Sequence, residues 1–128
     1  MDGRIGTSIL ILEDEPLIAL DHGVHAEQAG FTNVTVQTSC EAASEWLRSY
    51  TPAVALLDLR LRDGPCTDIA STLTSRGVPF VVCSGAAIEN VDPVFLGGIW
   101  LNKPCTPDVL IDALAKAKAK LARQAWEA

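Results

Sequence analysis

Residues 8 to 16 read Ser8-Ile9-Leu10-Ile11-Leu12-Glu13-Asp14-Glu15-Pro16, an unbroken apolar run that stops at three acids and a proline. A strand covered on both faces is apolar throughout rather than at alternate positions. The acids and proline then read as the end of that strand and the start of a helix, because proline is tolerated in the first helical turn and acids there suit the helix dipole. Leu17, Leu20 and Val24 follow at helical spacing.

The same alternation continues along the chain and predicts βαβ units on a parallel sheet. Gly30 breaks the first helix before a short strand, Val34-Thr35-Val36. Ser39 or Thr38 caps the next helix, whose stripe is Ala42, Ala43, Trp46, Leu47 and Tyr50, with Trp46 and Tyr50 read as core. After Pro52, Ala53-Val54-Ala55-Leu56-Leu57 is a third strand ending in Asp58. The Asp63-Gly64 turn leads to a helix around Ile69, Ala70 and Leu73 that Gly77 closes. Pro79-Phe80-Val81-Val82-Cys83 is a fourth strand ending in Ser84-Gly85, and Ile99-Trp100-Leu101-Asn102 a fifth ending in Lys103-Pro104. Thr106 and Pro107 open the last helix, with Leu110, Leu114, Ala117 and Leu121 along one face and Lys116, Lys118, Lys120 and Arg123 on a solvated one.

Composition narrows the function. At 128 residues and 48% apolar content the chain is expected to fold as one domain. Sixteen acids against ten bases leave a net charge of −6, which repels a phosphate backbone, so nucleic acid is not an expected partner. No apolar run approaches the roughly 20 residues of a membrane helix, and Met1-Asp2-Gly3-Arg4 does not begin a signal peptide. The expectation is a soluble, cytoplasmic protein without a membrane partner. Cys40, Cys66, Cys83 and Cys105 include no Cys-x-x-Cys and read as small core hydrophobes in a reducing compartment. His22 and His25 read as exposed helix residues.

The strand ends carry the chemistry. Glu13 and Asp14 follow the first strand, Asp58 the third, Ser84 the fourth and Lys103 the fifth. In a parallel sheet these ends share one edge, where open α/β folds bind ligands. Carboxylates gathered there repel unless a cation joins them. Mg²⁺ suits such a place, because it takes oxygen ligands, keeps waters and is held by one or two carboxylates plus phosphate. Two acids can hold the metal while the third attacks phosphorus, a hydroxyl and an ammonium taking the phosphoryl oxygens. This is a site for forming an aspartyl phosphate. Crowded acids should also cost stability, so Mg²⁺ should raise the melting temperature and Asp58→Asn should stabilise the metal-free protein.

With Glu13-Asp14, Asp58-Leu59-Arg60-Leu61-Arg62-Asp63-Gly64, Ser84-Gly85 and Lys103-Pro104 in order, the chain resembles a receiver domain of a two-component response regulator. The resemblance runs from the first strand through the last helix, and the separation of Glu13 from Asp58 is typical of the family. It implies a flavodoxin-like, doubly wound five-stranded parallel sheet in the order 2-1-3-4-5 with helices on both faces. It makes Asp58 the phosphoacceptor, with Asp14, Asp58 and the backbone carbonyl of Arg60 as Mg²⁺ ligands and Glu13 acting through water. Ser84 would bind the phosphoryl group, Lys103 would pair with it, a cis Lys103-Pro104 bond would direct the lysine, and Trp100 is a switch candidate.

Two features depart from the family. The stretch from Ser84 to Lys103 is short and interrupted by Asp92-Pro93 and Gly97-Gly98, so a short or irregular fourth helix, or a loop, is expected around Ala87 to Val91. Pro79-Phe80-x-x-x-Ser84-Gly85 is similar to a subgroup of stand-alone bacterial receivers, with Ala86 in place of their usual aromatic. Arg60 and Arg62 are the second departure, Arg60 being positioned to overhang the phosphoryl group and obstruct water. With one helix after Pro104, the expectation is a single receiver domain over residues 1–128, with a core of about 7–124 and no output domain. Its partners would be a sensor histidine kinase or phosphotransfer protein and a downstream protein target, with a homodimer left open, and it would catalyse only its own phosphorylation and dephosphorylation. The competing readings are a receiver-fold binding module acting independently of phosphorylation and, third, a haloacid-dehalogenase-like phosphatase. That last family places a second aspartate where this chain has Arg60.

Overall fold

A computed structural model describes residues 8–85 and 91–127. The first strand, β1 (Ser8–Leu12), pairs in parallel with β2 (Asn33–Gln37) on one side and β3 (Val54–Leu57) on the other. Beyond β3 lie β6 (Phe80–Ser84) and β7 (Ile99–Asn102), completing a five-stranded parallel sheet in the order β2-β1-β3-β6-β7. Numbered among the five long strands alone, this is the expected 2-1-3-4-5. A two-stranded antiparallel hairpin, β4 (Arg60–Leu61) and β5 (Gly64–Pro65), stands outside the sheet where the Asp63-Gly64 turn was expected. Gly64 takes φ 130°, a conformation that favours glycine.

The continuous apolar runs are explained by helices on both faces. Helices α2 (Cys40–Leu47) and α3 (Thr67–Ser75) cover the face formed by Leu10, Leu12, Ala55, Leu57 and Val82. Helices α1 (Pro16–Gln28) and α4 (Pro107–Glu127) lie on the opposite side, where Ala26 and Leu114 pack against Ile9, Ile11, Leu56 and Val81. Every residue of β1, β3 and β6 is buried, whereas the edge strands β2 and β7 are partly open. Among the described residues no helix is long and apolar enough to cross a membrane.

Helix α1 forms where the helical spacing of Leu17, Leu20 and Val24 indicates, yet these residues are 77%, 66% and 45% exposed, and its packed face carries Ala19, His22 and Ala26. Small residues on that face let the helix lie close to its neighbours, leaving the leucines to solvent. His22 is therefore buried rather than exposed. Tyr50 is also exposed, because α2 ends at Leu47 and the stripe does not continue; its ring lies 5.2 Å from that of the half-buried Trp46. On the basic face of α4, Lys118 departs from its neighbours by reaching across to the Gly30 carbonyl at 3.4 Å and the Phe31 ring at 5.6 Å.

The expected fourth-helix region lies mostly outside the described residues. Within them, Val91 and Asp92 are non-helical and Pro93–Gly97 form a 3-10 turn that inserts Phe95 into the core. Gly98 follows because a Cβ there would stand 2.6 Å from the Phe80 carbonyl oxygen and closer still to its ring.

The start of α2 shows how the hairpin is tied down. The Cys40 and Glu41 amides donate to the Asp63 carboxylate at 2.8 and 3.0 Å, and these two bonds hold its pKa below the ordinary value. Ser39 Oγ takes the Ala42 amide at 3.1 Å, and the Ala43 amide bonds the Ser39 carbonyl. The Cys40, Glu41 and Ala42 amides, which a helix start leaves open, are thus matched, and the Ala43 amide makes the first bond within the helix. Ser39→Ala should lower the unfolding free energy by about 1 kcal/mol in a urea titration; an unchanged midpoint would show that water replaces the cap without cost.

Candidate functional site

Parallel pairing carries the polar residues after each strand to one edge. Glu13 and Asp14 follow β1, Asp58 follows β3, Ser84 ends β6 and Lys103 follows β7. The register aligns Ser84 with Asn102, and the Lys103 amide donates to the Ser84 carbonyl at 2.8 Å, so the lysine begins level with the serine. The Lys103-Pro104 bond is cis, as expected. Lys103 Nζ then reaches Asp58 Oδ2 at 3.0 Å, while Asp58 Oδ1 accepts the Leu59 amide at 2.8 Å. Asp58 remains accessible, its side chain 22% exposed.

The acids are not equivalent. Glu13 is 2% exposed, its Oε2 accepts the Glu15 amide at 3.0 Å, and Oε1 lies 3.9 Å from His22 Nε2. Burial pushes its carboxyl above the ordinary value of 4.5 and the charges of Asp58 and Asp14 add to this, against the Glu15 amide and Lys103. Asp14 is half-buried, and its carbonyl accepts from Arg62 Nη2 at 3.4 Å. Burial disfavours the Lys103 charge, yet its hydrogen bond to Asp58 and the charges of Asp58 and Glu13 outweigh that and raise its pKa. The ammonium is thus the internal counter-ion of the acid edge, so Asp58→Asn gives up an ion pair as well as a repulsion.

The remaining candidates sit around this group. Ser84 is buried at the strand end. The exposed Arg60 lines a hollow with Leu59, Thr67, Asp92 and Phe95. Trp100 packs on the α2/α3 face of the sheet and donates from Nε1 to Asn102 Oδ1 at 3.0 Å. Sequence reasoning missed His22, which backs Glu13 from behind. The available signal was its spacing from Ala19 and Ala26, which places it on the narrow face of α1.

No family model matches the chain, and no curated protein matches it by sequence. Solved structures do. The chain is 36% identical to SdrG from Sphingomonas melonis Fr1, covering 91% of this chain and 96% of that one with a TM-score of 0.71. It is 26% identical to a CheY-like response regulator receiver domain protein from Methanospirillum hungatei JF-1, over 95% and 98% of the two chains, with a TM-score of 0.75. The chain belongs to the receiver-domain family of response regulators. A two-component response regulator from Clostridium difficile, 24% identical over 92% of this chain and 98% of its own with a TM-score of 0.75, shares the fold. In the receiver of this chain the edge holding Asp58 and Lys103 lies at the carboxyl ends of the strands, where ligands of open α/β sheets bind.

Two outcomes follow from the electrostatics. Burial first, then the charges of Lys103 and His25, depress the His22 pKa below 6.5. The unfolded chain therefore binds the proton first, and this contribution to stability is complete above about 6.5 and is lost as pH falls toward the folded value. In NMR the His22 ring should titrate below 6.5, and His22→Gln should lose less stability than wild type on acidification through that window; a ring titrating at or above the ordinary value would contradict its burial. Lys103→Met should lower the metal-free melting temperature and make an added Asp58→Asn more stabilising than it is in wild type. Strictly additive effects would show that the two groups do not interact.

Proposed function

We propose that this receiver accepts a phosphoryl group on Asp58 from a phosphohistidine of a sensor kinase or phosphotransfer protein, and signals through protein contacts. The observation that carries this reading is the accessible Asp58 carboxylate held by Lys103 at the strand-end edge beside Glu13 and Asp14. An Asp58 oxygen attacks phosphorus: the O–P bond forms, the N–P bond breaks, and the imidazole leaves with the electron pair and takes a proton. Lys103 and Ser84 bind the phosphoryl oxygens that Asp58 acquires, the lysine exchanging a carboxylate partner for a phosphoryl one.

The donor set fits Mg²⁺. Among the described residues no three His, Cys, Asp or Glu side chains form a cage able to hold a metal. Mg²⁺ does not need one, because it keeps several waters and takes one or two carboxylates with substrate phosphate. Asp14, Asp58 and the Arg60 carbonyl would hold it, with Glu13 acting through water. When bound, it offsets the negative charge that Asp58 and the phosphoryl group bring together.

In this reading the protein acts on itself alone, turning over no separate product, and works in the cytoplasm. The donor protein must approach over the same edge. The outward Leu17, Leu20 and Val24 offer it an apolar landing beside the acids, and Asp14 lines the groove that runs between α1 and β2. Trp100 is the switch candidate that reports the change toward β7. Arg60 shields the phosphoryl group from water, so Arg60→Ala should change the phosphate lifetime, and an equal dephosphorylation rate would remove that role.

The direct test is phosphate incorporation by intact mass with a small-molecule phosphodonor, with and without Mg²⁺. Wild type should gain one phosphate only with the metal, and Asp58→Asn none. Incorporation into both proteins would place the modification elsewhere. If no phosphate is incorporated and beryllofluoride does not bind, the receiver fold serves here as a binding module independent of phosphorylation.

A further inference from the structure

The four cysteines lie far apart in sequence yet meet as two pairs of free thiols. Cys40 Sγ is 3.4 Å from Cys66 Sγ, and Cys83 Sγ is 3.2 Å from Cys105 Sγ. Each pair joins one buried and one half-buried thiol, Cys66 with Cys40 and Cys83 with Cys105, and the pairs differ in what they face. Cys66 is fully buried ahead of α3, and the Cys40 thiol is also directed at the Gly64 carbonyl, 3.4 Å away in the hairpin. Cys83 is buried in β6, but its half-buried partner Cys105 lies between β7 and α4. Both line a pocket of about 530 Å³ with Ile18, His22, His25 and Pro107, open to a small solute.

We propose that Cys83 and Cys105 form a modification site at which a hydroperoxide converts two thiols into a disulfide. A disulfide requires the sulfurs at about 2.05 Å, so the 3.2 Å contact must close by about 1.2 Å, within reach of side-chain rotation. Cys105 attacks first, being the more exposed; burial and the neighbouring thiol push the Cys83 pKa up to about 12. Its sulfur bonds to one peroxide oxygen, the O–O bond breaks, and the leaving oxygen departs as water or, from an organic hydroperoxide, as an alcohol. The Cys83 sulfur then displaces hydroxide from the Cys105 sulfenic acid, which leaves as water with the Cys83 proton. Two thiols are oxidised by two electrons and one peroxide is reduced. A cellular dithiol reverses the bond by exchange.

The placement of the pair gives the bond a consequence. Cys83 directly precedes Ser84, and Cys105 stands two residues past Lys103. A disulfide ties these two arms together beside the phosphoryl-binding edge and restricts the exchange of Lys103 from Asp58 to a phosphoryl group. This second effect rests on the phosphoacceptor reading; the bond itself does not.

The test treats the full chain with hydrogen peroxide, alkylates remaining thiols, and reads intact mass and peptides after cleavage at Glu89, which separates Cys83 from Cys105. The expected result is two alkylatable thiols lost, a mass decrease of about 2 Da before alkylation, and a Cys83–Cys105 cross-link that dithiothreitol reverses and Cys105→Ser lacks. Four alkylatable thiols after treatment, a bond between Cys40 and Cys66 instead, or separate sulfinic acids would overturn the site. Phosphate incorporation should be slower in oxidised than in reduced wild type and insensitive to peroxide in Cys105→Ser; equal rates in oxidised and reduced protein would remove the regulatory consequence. If the cross-link forms but reduced protein takes no phosphate, the phosphoacceptor reading fails and the thiol site stands.

Discussion

A parallel sheet delivers every strand to the same edge, and this chain has loaded that edge with acids. Glu13 and Asp14, two of them, leave β1; Asp58 leaves β3 beside them. Carboxylates so placed oppose one another's ionisation. The 3.0 Å contact of Lys103 with Asp58 resolves the conflict within the chain. Ion pairs at a surface contribute only about 0–1 kcal/mol of stability. The weight of this one lies in holding the Asp58 carboxyl in place at the open edge while Glu13, almost without solvent, is pushed toward its neutral form. Much of the surrounding architecture serves the geometry: the Lys103 amide is fixed on the Ser84 carbonyl, Gly98 clears Phe80 just ahead of β7, and the Leu59 amide holds the other Asp58 oxygen.

The sheet was legible because its buried strands are continuous apolar runs, and each ends at a residue type that burial would not tolerate. Ser8–Leu12 and Ile99–Asn102 have the boundaries the sequence indicates. The same reasoning located Asp58, Ser84 and Lys103, since position at a strand end follows from topology alone. It did not identify the buried face of α1. Leucine and valine at helical spacing normally mark a buried face, but here the buried face is made of Ala19, His22 and Ala26. Helical periodicity identifies a stripe without saying whether protein or solvent meets it. Tyr50 was misplaced because its stripe outlasts the helix.

Contacts between distant segments were the hardest to read. Nothing local in Cys83 or Cys105 announces a 3.2 Å approach, which depends on how β6, the loop after β7 and α4 converge. Nor does Asp63 announce that it caps a helix more than twenty residues earlier in the chain; read locally, it is a turn residue. His22 links these observations. It touches Glu13 at the acid edge and also lines the pocket that opens onto the thiols, so the acid edge and the pocket behind it share one wall.

The most direct measurement is fluorine NMR of beryllofluoride added with Mg²⁺ to wild type and to Asp58→Asn. A phosphoacceptor at this edge gives bound fluorine resonances in wild type that vanish without the metal and are absent from Asp58→Asn. Bound resonances of equal intensity in Asp58→Asn, or none in wild type, would contradict it.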